Sequence, residues 1–363
     1  MPLRNHVSIR TRVLVIVVAL TASTAHSQVS TTKIVGATNA LVATLSQPQR
    51  DSMLYAFDDK VQRTKWSNLP TGIVQRAGLK LGDLNEVQRE RVMQLLSLAF
   101  SQRGLEKVQQ IMEGDEVLKA SGSGRGGPPG GGPPGGRGLG GRGGALLFGK
   151  DLYYISILGT PSATTPWMLQ FGGHHLAINL TIAGERGILT PTLTGAQPAL
   201  YQIDGKTIRP LDHESDKGLA LLTSLDDTQR KQAIIGARVA DLVLGPGQDD
   251  RRIQPEGLKA SAMIGRQRAM LLDLITEWSG IVHESAAALR MAELRADLND
   301  TWFAWSGPTS ADAGRNIGAY FRIQGPRLVI EYAPQQMGGD RSMHVHTMYR
   351  DPTNDYAKGV TGK

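Results

Sequence analysis

Two short stretches concentrate the residues able to do chemistry. Of the 8 histidines in 363 residues, four fall in Gln170-Phe171-Gly172-Gly173-His174-His175-Leu176 and Met343-His344-Val345-His346-Thr347-Met348-Tyr349-Arg350-Asp351. Side chains alternate across an extended strand, so His344, His346, Met348 and Arg350 share one face if the second stretch is a strand. Two imidazoles two residues apart can chelate a metal ion or grip an anion. Adjacent histidines cannot share a strand face, but both can face a site from a turn, where glycine lets backbone and ligands approach closely. The spacing predicts a metal centre built from His174 and/or His175 with His344 and His346, provided the fold brings the two stretches together.

The chain has no cysteine, so such a metal must be held by His, Asp, Glu, Met or backbone oxygen. Three histidines and an open position suit hydrolytic Zn. Met337, Met343 and Met348 lie close in sequence, and thioether suits Cu, although methionine fills cores more often than it binds metal. Arg350 has the planar fork for a substrate carboxylate or phosphate, and can equally pair with Asp351, Asp355 or Glu331. Glu331 is a candidate general base, or a charge that protects a sheet edge. The expected activity is metal-dependent hydrolysis or oxidation of a small or anionic substrate. The alternatives are a metal- or small-anion-binding protein without turnover, and a histidine cluster that only ties strands together.

Other chemistries lack their motifs. His213-Glu214 and His283-Glu284 are not followed by a histidine at zincin spacing, no G-x-S-x-G occurs, and Gly205-Lys206-Thr207 lacks the upstream glycine of a phosphate loop. Gly122, Gly124 and Gly127 match G-x-G-x-x-G formally, but no strand precedes them and prolines follow.

The formal charge of +7 includes Arg4, Arg10 and Arg12 near the start and Arg125, Arg137 and Arg142 in a Gly/Pro tract. The body between is close to neutral, so no nucleic-acid partner is expected. Residues 1–27 read as a secretory signal: three arginines without an acid, the apolar run Val13–Leu20, then small polar residues. That run is too short to span a bilayer, which predicts an exported, periplasmic or extracellular protein with no membrane span in the mature chain. Cleavage after Ala25 would make His26 a terminal copper chelator; cleavage after Ser27 would remove it. With no disulfides to rely on, stability must come from a sizeable core.

The pattern around these residues predicts an α+β protein. Residues 28–120 read as helical, with Asp83 and Glu86 as a capping box before the stripe Val87, Val92, Leu95, Leu96, Ala99 and Phe100. Residues 121–144 read as a disordered Gly/Pro-rich insertion. Residues 145–356 form an α+β core continuous with the first helices. Strands are expected at 152–159, 167–171 and 176–182, and again at 301–305, 320–323 and 327–332 before the His-x-His strand. Thr190-Pro191-Thr192 and Gln197-Pro198 mark irregular surface backbone, and helices fill most of 213–299. The two β clusters should join in one mixed or antiparallel sheet of a single large domain. No internal repeat is evident.

Gly159-Thr160-Pro161, Pro166-Trp167, the Gly-Gly-His-His stretch, Thr301-Trp302-Phe303-Ala304-Trp305-Ser306-Gly307 and Arg350-Asp351-Pro352-Thr353-Asn354-Asp355-Tyr356 together resemble the exported domain of unknown function family 3500. The likeness runs from about Leu41 to Tyr356, with the Gly/Pro tract as a departure. It implies the architecture and brings no activity with it.

Overall fold

Helices begin where a polar side chain can take over the free N–H groups of a first turn. The computed structural model describes residues 30–122, 146–236, 239–249, 251–336 and 339–361. The expected signal, Met337 and all of the Gly/Pro tract after Gly122 lie outside the described residues. Helix α1 covers residues 30–43, followed by α2 (Gln47–Met53) behind Ser46, α3 (Lys60–Thr64) behind Asp59, α4 (Glu86–Ala99) behind Asn85 and α5 (Gln102–Ala120) behind Ser101. The capping box of α4 is Asn85 with Gln88, two residues later than expected. Asp83 sits instead in a 3-10 turn, where it pairs with Lys80 at 3.0 Å. The later helices are α6 (Asp212–Ser224), α7 (Asp227–Ala233), α8 (Gly265–Ser279) and α9 (Glu284–Ala296). No helix among the described residues is long and apolar enough to cross a membrane.

The strands are β1 (Leu54–Tyr55), β2 (Leu79–Lys80), β3 (Tyr154–Leu158), β4 (Trp167–Gly173), β5 (Leu176–Ala183), β6 (Arg186–Ile188), β7 (Thr192–Ala196), β8 (Tyr201–Ile203), β9 (Lys206–Ile208), β10 (Leu258–Lys259), β11 (Trp302–Ser306), β12 (Tyr320–Gly325), β13 (Leu328–Pro334) and β14 (Val345–Arg350). Twelve of them form one sheet in the order β1-β3-β4-β5-β7-β14-β13-β12-β11-β10, with β2 beside β3 and β6 beside β5. Only β1 runs parallel to its neighbour, so the sheet is mixed and the protein α+β. The two β clusters do join, and they join through β7. The sequence pointed to irregular surface backbone there. Pro191 and Pro198 lie just outside the strand, and all five of its residues are buried at the centre of the sheet. A polar run this short, Thr-Leu-Thr-Gly-Ala, carries no alternation to read.

The two faces differ. Toward the helices, Val345 and Tyr349 enter the main apolar core with Trp278 of α8, whose indole N–H donates to Thr347 Oγ1 at 2.9 Å. On the other face, Met348, Leu193 and Ala177 pack under Trp66 and Leu242. Those two residues belong to chain straps that cross this face, one within residues 56–78 and one within residues 239–249.

The strand order is a palindrome, and its registers reveal a duplication that the sequence does not display. Leu79 pairs with Ile155 and Leu258 with Phe303; the β4–β5 hairpin closes Gly173 on Leu176 and the β12–β13 hairpin closes Gly325 on Leu328. Leu54 runs parallel beside Ile157, and Ile234 beside Trp305. The caps repeat as well: Ser46 with Gln49 touching Gln88, and Asp226 with Gln229 touching Gln267. At the pseudo-two-fold axis Phe100 pairs with its own counterpart Val282, and two bonds cross reciprocally at 3.0 Å, Ser101 N to Ile281 O and His283 N to Ala99 O. β7 and β14 are likewise counterparts, with Thr192 opposite Tyr349.

Candidate metal centre

His174 and His175 form the two-residue turn between β4 and β5. His175 adopts the left-handed region (φ 58), a conformation costing a non-glycine residue on the order of 1 kcal/mol. Its backbone is fixed on two sides: its N–H donates to Asn68 O at 3.1 Å, and its carbonyl accepts from Gly195 N at 2.7 Å. Gly195 lies opposite His346 in the β7–β14 ladder. A Cβ on Gly195 would stand 2.8 Å from Val345 O and 3.2 Å from the His175 ring. Glycine here lets the turn of one half close against the strand of the other.

Three imidazoles converge at that junction. His175 Nε2 lies 2.9 Å from His344 Nε2, and His344 Nε2 lies 3.1 Å from His346 Nε2. All three rings are buried. Burial, then the neighbouring rings of His174, His346 and His344 and finally Arg76, push His175 well below the ordinary imidazole range, so this ring is neutral at pH 7. Each Nε2 either carries a hydrogen or offers a lone pair, and two lone pairs or two N–H groups turned toward one another repel. A cation between them removes that conflict. Zn–N bonds of about 2.0–2.1 Å at tetrahedral angles place the nitrogens about 3.3 Å apart, within a few tenths of an ångström of the two short separations, and the three ligand atoms all lie within 4.8 Å of one another. Three such ligands leave one position for water or substrate. The amide of Asn68, 3.3 Å from His346 Nε2, is a donor beside it.

His174 does not join this group of three. Its Nδ1 lies 2.7 Å from Asp115 Oδ1 on α5, while its ring centre lies 3.7 Å from that of His175 with the planes tilted by 33°. Burial raises the Asp115 carboxyl above its usual range, and His174 pulls it back. This pair seats the turn from behind.

His346, Met348 and Arg350 share the strap-covered face, as the alternation predicted. Met348 is in the apolar cluster with Ala177 and Leu193. Every guanidinium nitrogen of Arg350 is taken: Nε by Leu244 O at 2.8 Å, one terminal nitrogen by Gly245 O at 3.1 Å, the other by Asp249 and Asp355 at 2.9 Å each. Glu331 accepts from Val243 N and Leu244 N at 2.7 Å and from Tyr320 OH at 2.8 Å. Both therefore grip the strap, an occupation different from the substrate-orienting and general-base roles their types suggested. The strap in turn places Asp241 Oδ1 3.5 Å from His346 Nδ1. Although burial opposes it, His346, the Leu242 N–H and Gln335 hold the Asp241 carboxyl below its ordinary range. Asn68, Asp115 and Asp241 carried no signal in the sequence, being single polar residues outside any repeated spacing.

Across the pseudo-two-fold axis the same junction is built without imidazoles. The hairpin registers place Pro326-Arg327 at the positions of His174-His175, and the β5–β6 pairing places Arg186 and Ile188 at those of His344 and His346. That turn is held by Arg327 Nε and Asp297 at 2.6 Å. Asp297 stands on the tail of α9, where Asp115 stands on α5. The fold thus closes this junction perfectly well with no histidine.

A mixed twelve-stranded sheet, a buried three-histidine cluster and the motifs noted above occur together in this chain. A family model described as "Protein of unknown function (DUF3500)" matches residues 27–358. The chain belongs to that family. No curated protein and no solved structure matches it.

Proposed function

We propose that the protein is an exported, metal-dependent hydrolase whose centre is a single Zn ion held by His175, His344 and His346. The observation that carries this reading is the convergence of three buried Nε2 atoms. The histidine-free counterpart junction supports it, because strand-tying alone does not require these residues. Bound Zn lowers the pKa of its water toward neutrality and supplies a nucleophile at pH 7. The Asn68 amide would donate to an oxygen in the fourth position. Burial of all three rings restricts the substrate to a small molecule. Export rests on the character of residues 1–27.

The same burial favours a second reading, a non-catalytic protein that sequesters Zn or Cu. Elemental analysis of untagged protein beside a His344→Ala/His346→Ala variant tests both. Near-stoichiometric metal lost in a folded variant supports the centre, and the element found separates Zn from Cu. Hydrolysis of small ester or phosphoester substrates that disappears with the metal then selects the enzyme. No metal in the wild type after incubation with Zn and Cu ends both readings.

A further inference from the structure

The second strap does something its counterpart in the first half does not. Residues 241–245 are pinned to the sheet by two buried charged side chains, Glu331 through the N–H groups of Val243 and Leu244, and Arg350 through the carbonyls of Leu244 and Gly245. Glu331 and Arg350 are at most 2 % exposed, and ionised groups so deep in a protein cost several kcal/mol each to desolvate. The registers give their counterparts as Asn179 and Leu193. At those two positions the fastening is neutral: Asn179 donates to Pro191 O at 2.8 Å and accepts from Gln170, which also binds the carbonyls of Gln62 and Arg63 on the first strap, while the charge on that side, Arg76, stands on the strap itself and donates to Gly173 O at 2.8 Å. At these two sheet positions, holding a strap therefore does not need a charged side chain.

What differs is the cargo. The charged half delivers Asp241, whose Oδ1 lies 3.5 Å from His346 Nδ1 and also accepts from the Gln335 side chain at 2.7 Å and the Leu242 N–H at 2.6 Å. His346 can offer Nε2 to a metal only with its proton on Nδ1, and a carboxylate facing Nδ1 fixes that tautomer and ring orientation while making Nε2 a better donor. We infer that Asp241 is a positioning residue for the metal centre, and that Glu331 and Arg350 act on the centre through the strap that carries it. This inference rests on the three-histidine reading above. It accounts for two buried charges that touch no ligand.

The test is metal affinity with a spectroscopic readout. Zn is titrated in competition with a chromophoric chelator, and Co2+ is substituted to read ligand geometry from its visible absorption. The side chain of Asp241 is 59 % exposed, so Asp241→Ala should fold and melt like the wild type without metal. It should bind Zn about 10- to 100-fold more weakly and show an altered Co2+ spectrum. Asp241→Asn keeps an acceptor and should recover much of the loss. Glu331→Gln, which sets an amide against two N–H donors, should weaken Zn in the same direction. Unchanged affinity and spectrum in Asp241→Ala, with Zn bound tightly by the wild type, overturns this inference and leaves the centre standing. Absence of Zn and Co2+ binding in the wild type overturns the centre itself, and this inference with it.

Discussion

At the scale of single residues, neighbouring histidines have been given separate work. His175 turns its Nε2 toward His344, while His174 is committed to Asp115. His175→Ala should therefore abolish stoichiometric metal. His174→Gln should keep the metal and lose about 1–3 kcal/mol of stability, because Asp115 is left buried without its partner. Elemental analysis with urea unfolding of the two variants distinguishes them, and equal metal loss in both would refute the division. A second residue gives a pH signature. Burial raises the carboxyl of Asp355 to about 6, although Arg350 opposes the rise; an unfolded aspartate titrates near 3.9. The native state holds this proton more tightly than the unfolded state. Its contribution to stability is thus complete below about pH 4 and is lost as the pH rises through about 6. Asp355→Asn should remove that decline when stability is measured by denaturant across this range. A decline of unchanged size in the variant would assign it to another group.

Elements show where charge is required and where it is not. Lys107 of α5 and Glu214 of α6 form a buried ion pair, with Lys107 Nζ also donating to Glu277 O at 2.9 Å. Counting from the helix caps, their counterparts across the axis are Leu289 and Ile34, both apolar. Removing one member leaves an unpaired buried charge, so Lys107→Leu should cost about 3–5 kcal/mol. Lys107→Leu/Glu214→Ile, which copies the residues at the counterpart positions, should recover most of that loss. Thermal unfolding of single and double variants measures the coupling; a double variant no better than the single would show that the packing around Lys107 and Glu214 cannot accept the apolar pair. The same elements show what the sequence made legible. The stripe on α4 was readable because Val92, Leu95, Leu96 and Ala99 recur at helical spacing, and those residues are buried, whereas Val87, also counted in the stripe, faces solvent. Its cap was misplaced by two residues because Asp83 and Glu86 mimic a box that the 3-10 turn before the helix pre-empts. The His-x-His strand was readable by alternation. β7 was not, since its place at the centre of the sheet depends on pairing with β14, which lies far from it in sequence.

For the whole molecule, the palindromic sheet explains why the two histidine stretches meet. Their separation along the chain is bridged by β7 and β14, counterpart strands that pair across the pseudo-two-fold axis. The sequence concealed this because only scattered positions persist between the halves, such as Leu45, Gln49 and Arg50 beside Leu225, Gln229 and Arg230, and Gly78-Leu79-Lys80 beside Gly257-Leu258-Lys259. The pair geometry kept what side-chain identity lost. The candidate centre takes His175 from the first half and His344 with His346 from the second, so a metal there binds the folded molecule and neither half alone. A ligand specific to the native state at a hundredfold excess over its Kd adds about 2.7 kcal/mol of stability. Saturating Zn should therefore raise the unfolding midpoint of both halves together in a single transition. His175→Ala and His346→Ala should each abolish the shift for the entire molecule, although they lie in different halves. Calorimetry with and without Zn reads this directly. A shift that survives His175→Ala would place the metal on the second half alone, and the junction would then be no more than where two copies of one fold touch.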